Sequence, residues 1–339
     1  MKRLITIFGI TSLIGTASIS AVNSYINEKT FSTSTQKNNF NNENNFIEIK
    51  QIKENISNIN LYKNYKGEIL YTTWTGDGYG RIYQINNNSK NDQLLAKLNG
   101  EILSLIVDKN GIIYASTTGT GTGYGFLYQV YKNSFTKISE INKIVLSLAT
   151  DKDGNVYAGG DNGSIYKKQY NQKDFKLIMP SSGEVYSLTV DSNNNVYAGI
   201  AYHNDIRNSK IFKSTDGINF YEIQNMINNE IRNLNSDKDG NIYASFLNGN
   251  VYQYSFKKEK FIKIIEINDK IQNLIIDKES NVYIITWKGK LYYKVFNENK
   301  INIFNIIGEI YSLTIDDNNN IYAIIANDQT FNIIKIKNN

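Results

Sequence analysis

One tyrosine returns seven times along the chain at nearly constant intervals, at Tyr71, Tyr114, Tyr157, Tyr197, Tyr243, Tyr283 and Tyr322. The intervals run from 39 to 46 residues and average about 42, the length of a unit of four short strands. Each copy reads as an apolar strand, a tight turn and a second strand carrying the Tyr. The first strand contains Ile-x-Ser/Asn-Leu, with the Ser or Asn at Asn58, Ser104, Ser147, Ser187, Asn233, Asn273 and Ser312. The turn is Asp-x-Asp/Asn-Gly/Asn-Asn in most copies, as in Asp151-Lys152-Asp153-Gly154-Asn155. Asx side chains bond the nearby backbone and Gly or Asn accepts positive φ, so this segment reverses the chain. A third strand with an aromatic (Tyr83, Tyr128, Tyr166, Phe212, Tyr252, Tyr292) and a fourth that usually opens on Phe (Phe135, Phe175, Phe220, Phe261) complete the unit. Such a unit cannot bury its apolar faces alone and must stack on its copies.

The ends of the chain decide whether the array is open or closed. The last copy supplies strands near 309–316, 320–326 and 330–337 and then stops one strand short. That strand stands at the other end: Phe46-Ile47-Glu48-Ile49-Lys50-Gln51-Ile52 matches Phe261-Ile262-Lys263-Ile264-Ile265-Glu266-Ile267, each Phe lying 12 residues before an Asn marker. The expected fold is therefore all-β, a seven-bladed β-propeller over 46–339, closed by an N-terminal strand that completes the last blade. Closure removes the two free sheet edges of an open array.

The turns, read as Asp-x-x-Gly-Asn-Val-Tyr in Asp151 to Tyr157, give the chain a resemblance to bacterial seven-bladed propeller repeat proteins, including propeller-type sensors and NHL-like repeats. It covers roughly 46–337 and implies the fold. Repeats of this group host binding, signalling and catalytic roles alike, so the resemblance implies no single activity.

Before the repeats, Lys2-Arg3, an apolar run over 4–15 and small residues over 16–21 read as a signal for export. The segment 1–22 is expected to be a cleaved signal peptide or a retained anchor, since 4–22 approaches membrane-spanning length. Asn-, Ser- and Thr-rich residues 23–45 read as a disordered tether. An extracellular or cell-surface location follows, with membrane contact only through a retained anchor. The absence of Cys excludes disulfides, thiol nucleophiles and a lipid-modified cysteine. Net charge is +5, falling to about +3 if Lys2 and Arg3 are removed, and Lys alternates with Asp and Glu throughout. No basic stripe tracks a phosphate backbone, so no nucleic-acid partner is expected.

With this strand order, the start of each first strand and the loop between second and third strands emerge at one end of the ring. Three of those loops are enlarged, over 74–80, 117–125 and 201–208, while others are as short as Asn248-Gly249 and Lys288-Gly289. Long loops held at one end of a rigid scaffold are where binding residues concentrate. Trp74, Tyr79, Tyr124 and Tyr202 would offer aromatic platforms to a sugar ring or a peptide, with Asp77, Arg81, His203 and Arg207 beside them. The same Gly-Tyr-Gly segments also read as strand-entry turns whose Tyr packs on a neighbouring blade, and both readings stand. No helix follows these glycines, so they cradle no phosphate.

At the same end, Glu101, Glu184, Glu230 and Glu309 open first strands, and Lys270 takes that place in the sixth blade. Carboxylates around a channel mouth would draw in a cation or an amine; alternatively they are separate solvated strand ends. The 151–155 turn is similar to the start of a calcium loop but lacks its distal Glu, and it recurs as a turn. The one His cannot build a multi-histidine site, so neither metal nor cofactor is expected. Ser214-Thr215-Asp216-Gly217 resembles the Asp-box hairpin of sialidase-type propellers, a structural motif there. After the export segment, the arginine triad of such enzymes would have only Arg81, Arg207 and Arg232 to draw on. The expected function is recognition of an extracellular glycan or protein through the loop-rich face. The alternative is a carbohydrate-active hydrolase or lyase using the channel-mouth carboxylates.

Overall fold

The computed structural model describes residues 46–336 except 53–55, 87–90, 120–123, 140, 142, 203–208, 224–228, 305, 307 and 328–329. The expected export segment and tether, 1–45, lie outside the described residues. Seven four-stranded antiparallel sheets follow one another as a ring, an all-β seven-bladed propeller. In six sheets the strands run in sequence order from the channel outward. The seventh joins Glu309–Ile315, Ile321–Asn327 and Thr330–Ile336 to the N-terminal strand Phe46–Ile52 at its outer edge. The expected closure is present, in antiparallel register from Phe46 opposite Ile336 to Ile52 opposite Phe331.

The core is divided among the blade interfaces. Seven apolar clusters each straddle one interface, including the closing one, where Ile52 and Ile333 of the last blade meet Ile59 and Leu61 of the first. The second strand of a blade faces a neighbour on both sides, so every residue of Val156–Gly160, Ile242–Phe246 and Val282–Thr286 is buried. Small residues such as Ala158, Ala198 and Ala244, all fully buried, let adjacent sheets approach. Outer strands are half in water, which explains their Lys- and Glu-rich alternation.

At one end of the ring, called here the turn end, each inner strand passes into its Asp turn. In blades three to seven the Asp carboxylate organises that turn completely. Asp237 Oδ1 accepts from the backbone N of Asp239 (3.0 Å) and Asn241 (2.8 Å), and Oδ2 accepts from Asn241 Nδ2 (2.8 Å) and the Tyr243 hydroxyl (3.2 Å). The same four bonds recur at Asp151, Asp191, Asp277 and Asp316. Neighbouring turns are stitched together: Ser280 Oγ donates to Asp237 across a blade interface (2.8 Å), and Asn194 Nδ2 donates to Asp153 (3.1 Å). In blade two, Ile112 stands where the Asn amide would be, and buried Asp108 Oδ2 has no hydrogen-bond partner among the described residues.

Blade one departs from the register expected for it. Its turn is built by Asn64, whose Oδ1 accepts from Lys66 N and Glu68 N at 2.9 Å each. Six residues on, the position held elsewhere by the repeat Tyr is Leu70, opposite Tyr62, while Tyr71 points to the other sheet face. There Tyr71 stacks on Tyr83 and its hydroxyl donates to Asp92 at 2.7 Å. By the same count the inner-strand marker is Asn60, not Asn58. The reason lies in the inner strands themselves. In blades two to seven the pairing slips by one residue at the same place, skipping Leu103, Leu146, Tyr186, Arg232, Gln272 and Tyr311, whereas the first blade pairs without a slip. Each slip is a β-bulge, which re-aims one side chain.

Candidate functional site

The six bulge residues all line a cavity of about 320 Å³ on the ring axis, joined by Asn58, Asn60 and Tyr62 of the unbulged blade. All seven inner strands contribute to it. Bulging places the core residues on either side three positions apart, as in Ile231 and Leu234, with the two residues between them lining the axial cavity. The second of the two is the recurring Ser or Asn, often tied into the scaffold: Ser187 Oγ accepts from Leu234 N (2.9 Å) and Ser147 Oγ donates to Val185 O (2.9 Å). The first is the bulge residue, and it differs around the ring, from Leu in blades two and three to Tyr, Arg, Gln and Tyr in blades four to seven.

Arg232 is the most constrained of these groups. Its guanidinium lies 5.5 Å from the ring centre of Tyr186 in blade four and 5.2 Å from that of Trp287 in blade six. Its Nη2 is 2.9 Å from Glu230 Oε1, and Arg232 Nε is buried without a hydrogen-bond partner among the described residues. Lys270 Nζ stands 5.3 Å from the same Trp287 ring. Desolvated cations over aromatic faces are held more strongly than in open water, so the arrangement fixes the direction of the guanidinium.

The enlarged loops lie at this end of the ring, since Asn58 at the start of an inner strand pairs with Trp74 at the end of the next. The loop after Trp74 closes on itself: Asp77 forms an ion pair with Arg81, whose Nη1 also donates to Tyr79 O at 3.1 Å. The Arg81 hydrogen bond holds the Asp77 carboxyl well below the usual carboxylate range. Tyr79 is exposed, with Lys97 Nζ 4.1 Å above its ring. Tyr124 is exposed before its strand, and Tyr202 is half-buried against the blade-four cluster with its hydroxyl 3.5 Å from Ser181 Oγ. His203 and Arg207 lie outside the described residues.

The four glutamates stand in four blades with unlike surroundings. Glu101 is buried, which pushes its carboxyl pKa up, and accepts from Asn58 Nδ2 of the preceding blade at 2.6 Å. Its backbone is pinned beside Gly100, where a Cβ would meet Thr118 O at 1.7 Å. Glu184 is buried opposite Ala201, Glu230 is paired with Arg232, and Glu309 is half-buried opposite Ala326. Among the described residues no three acidic or His side chains gather as a metal site would require. The structure thus joins Asp77 to Arg81, Glu101 to Asn58 and Glu230 to Arg232.

Sequence reasoning singled out the glutamates and loops, weighed Arg232 only as a member of an arginine triad, and passed over the other bulge residues and Trp287. A signal for the bulges was present: Ile-x-x-Leu puts two core residues three apart, which a regular strand with period two cannot bury on one face. For Trp287, in the short Thr286-Trp287-Lys288-Gly289 turn, no local signal existed.

No family model matches this chain, and no curated protein matches it. Among solved structures it is similar to the extracellular domain of a proposed one component system from B. thetaiotaomicron, at a TM-score of 0.64 and 15% identity. The match covers 86% of this chain and 40% of that one. At that identity the likeness shows the fold alone.

Proposed function

We propose that this protein is an extracellular recognition module that binds its ligand at the bulge end of the ring, with the axial cavity as anchoring pocket and the enlarged loops as rim. One observation carries the reading. Six inner strands repeat the same bulge, yet the side chain each bulge aims into the cavity changes from blade to blade while the residues around it repeat. A pocket of this size, lined by several rigidly held polar and aromatic groups, suits a small ligand or the end of a larger one. Tyr79 and Tyr124, exposed at the same end, would extend the contact, with Trp74 and Tyr202 beside them. Glu101 engages Asn58 and Glu230 engages Arg232, which leaves the carboxylate-driven hydrolase with less to build on.

Export through the N-terminal segment fits this role. So does the extracellular origin of the similar domain, and the Asp-x-x-Gly-Asn-Val-Tyr turns support a place among sensor-type and NHL-like propellers. The test is a screen of the full chain against glycan and protein arrays, with each hit re-measured on Gln272→Leu and Tyr311→Leu variants. At least one hit should lose roughly 10-fold or more in affinity, with melting temperature unchanged in the Gln272 variant. Tyr311 also packs edge-on to Phe331 in the closing cluster, so its variant is read against its own melting curve. Hits indifferent to both substitutions would place recognition elsewhere.

A further inference from the structure

We infer that the axial cavity takes an acidic sugar, a ring bearing one carboxylate among several hydroxyls, with Arg232 as the carboxylate anchor. This rests on the recognition reading above and narrows it to a ligand class. Arg232 is the one charged side chain in the cavity lining among the described residues, and no carboxylate lines it. It is held ready: its side chain is 11% exposed, two aromatic rings flank it, and Glu230 engages one edge of the fork. A guanidinium offers five N–H donors in a rigid plane. Glu230 engages Nη2 alone, which leaves further N–H donors of the fork for an incoming anion. Lys270, with its Nζ 5.3 Å from the ring centre of the same Trp287 that Arg232 meets, adds a second positive charge nearby.

The rest of the lining suits hydroxyls. Asn233 and Asn273 already use Oδ1 within the scaffold, accepting from Ser245 Oγ (3.2 Å) and Leu274 N (2.7 Å), which leaves their amide N–H groups as donors. Gln272 is the reverse case. Its Nε2 donates to Tyr311 O (3.3 Å), leaving the carbonyl oxygen to accept. Leu103 and Leu146 supply an apolar wall for the C–H face of a ring. A simple anion would need the arginine but neither the amide donors nor this wall.

The test compares galacturonic acid with galactose, and N-acetylneuraminic acid with its methyl ester, by titration calorimetry on the full chain. The expected result is that at least one acid binds roughly 10- to 100-fold more tightly than its neutral counterpart, the range of a charge-assisted hydrogen-bonded contact. The preference should weaken as salt is raised. Arg232→Gln should abolish it, and Arg232→Lys, which keeps the charge but not the fork, should retain only part of it. Melting curves of both variants identify any loss of fold, and the Lys variant keeps the test valid if the Gln variant unfolds. Equal binding of acid and neutral sugar, or binding of neither, overturns the acidic-sugar inference. Recognition itself then still stands if an array hit of another class depends on Gln272 or Tyr311, and falls with it if none does.

Discussion

The two ends of the ring are made from the same seven inner strands and follow opposite rules. At the turn end, the residue just after the inner strand is an Asp in six blades, and in five of them its carboxylate makes the same four bonds. At the bulge end, a few residues earlier on those strands, the repeating feature is backbone geometry, and the side chain it presents changes from Leu to Tyr, Arg and Gln. One end repeats chemistry to hold shape, and the other repeats shape to vary chemistry. Substitutions should therefore separate cleanly: turn-end changes alter stability, and bulge-end changes alter binding.

The severest way to break this contrast is to remove what both ends share. Deleting 46–52 strips Ile52 and the partly buried Phe46 and Ile49 from the last blade and opens its edge. The loss should be roughly 3–6 kcal/mol, given about 1.5–3 kcal/mol for each fully buried large apolar side chain, with aggregation through the new edge. A truncated protein that melts like the full chain would show that the ring does not depend on closure. Next comes Asp237→Ala, which leaves five donors without their acceptor, Ser280 of the next blade included. Denaturant titration should show a loss of about 3 kcal/mol or more. A loss below about 1 kcal/mol would mean that water replaces the carboxylate and the turn end is less essential than its repetition suggests.

Alkaline pH probes the same network without mutation. Burial, reinforced by the adjacent carboxylate, pushes the Tyr322 hydroxyl from 10.0 up to about 12, and Tyr157, Tyr197, Tyr243 and Tyr283 shift upward for the same reasons. A raised folded-state pKa means the native protein holds the proton more tightly than the unfolded chain. The stabilisation is complete below pH 10 and lost as pH rises toward about 12. Melting temperature should fall across that window and less steeply in a Tyr322→Phe variant; equal slopes would remove Tyr322 from the account.

A smaller effect, opposite in sign, comes from Ile112→Asn, which installs the missing amide beside Asp108 Oδ2. Blade two should gain about 1 kcal/mol. A lower melting temperature would instead show that Ile112 packing against its cluster outweighs the bond. The smallest effect belongs to the other end: Gln272→Leu should change stability by less than about 0.5 kcal/mol. A large loss there would make the bulge residues part of the scaffold.

The fold was legible because its rules repeat: an Asp turn and a Tyr six residues on, sampled in six blades, with one pattern of core positions around the ring. The exception was also physical. In blade one, Leu70 and Tyr71 are both apolar and adjacent, so periodicity could not decide which filled the repeat position, and only the unbulged pairing shows that it is Leu70. The site was less legible because its residues are the ones that do not repeat. Arg232 looked like an isolated arginine, and Trp287 meets it only because blades four, five and six place Tyr186, Arg232 and Trp287 side by side. The loops that drew the eye are partly self-contained, Asp77 spending its charge on Arg81 four residues away.

The placement of Phe46 has a mechanical consequence. The closing strand starts at the turn end, beside Ile336, and runs toward the bulge end, where the proposed ligand binds. If the chain is held from its N-terminal side while a partner is gripped at the bulge end, tension passes along that strand and not across it. Its ladder of hydrogen bonds to Thr330–Ile336 is then loaded in shear, all rungs together, instead of being peeled one rung at a time. Closing the ring with Phe46–Ile52 thus puts the seam where such a pull is borne by the whole ladder.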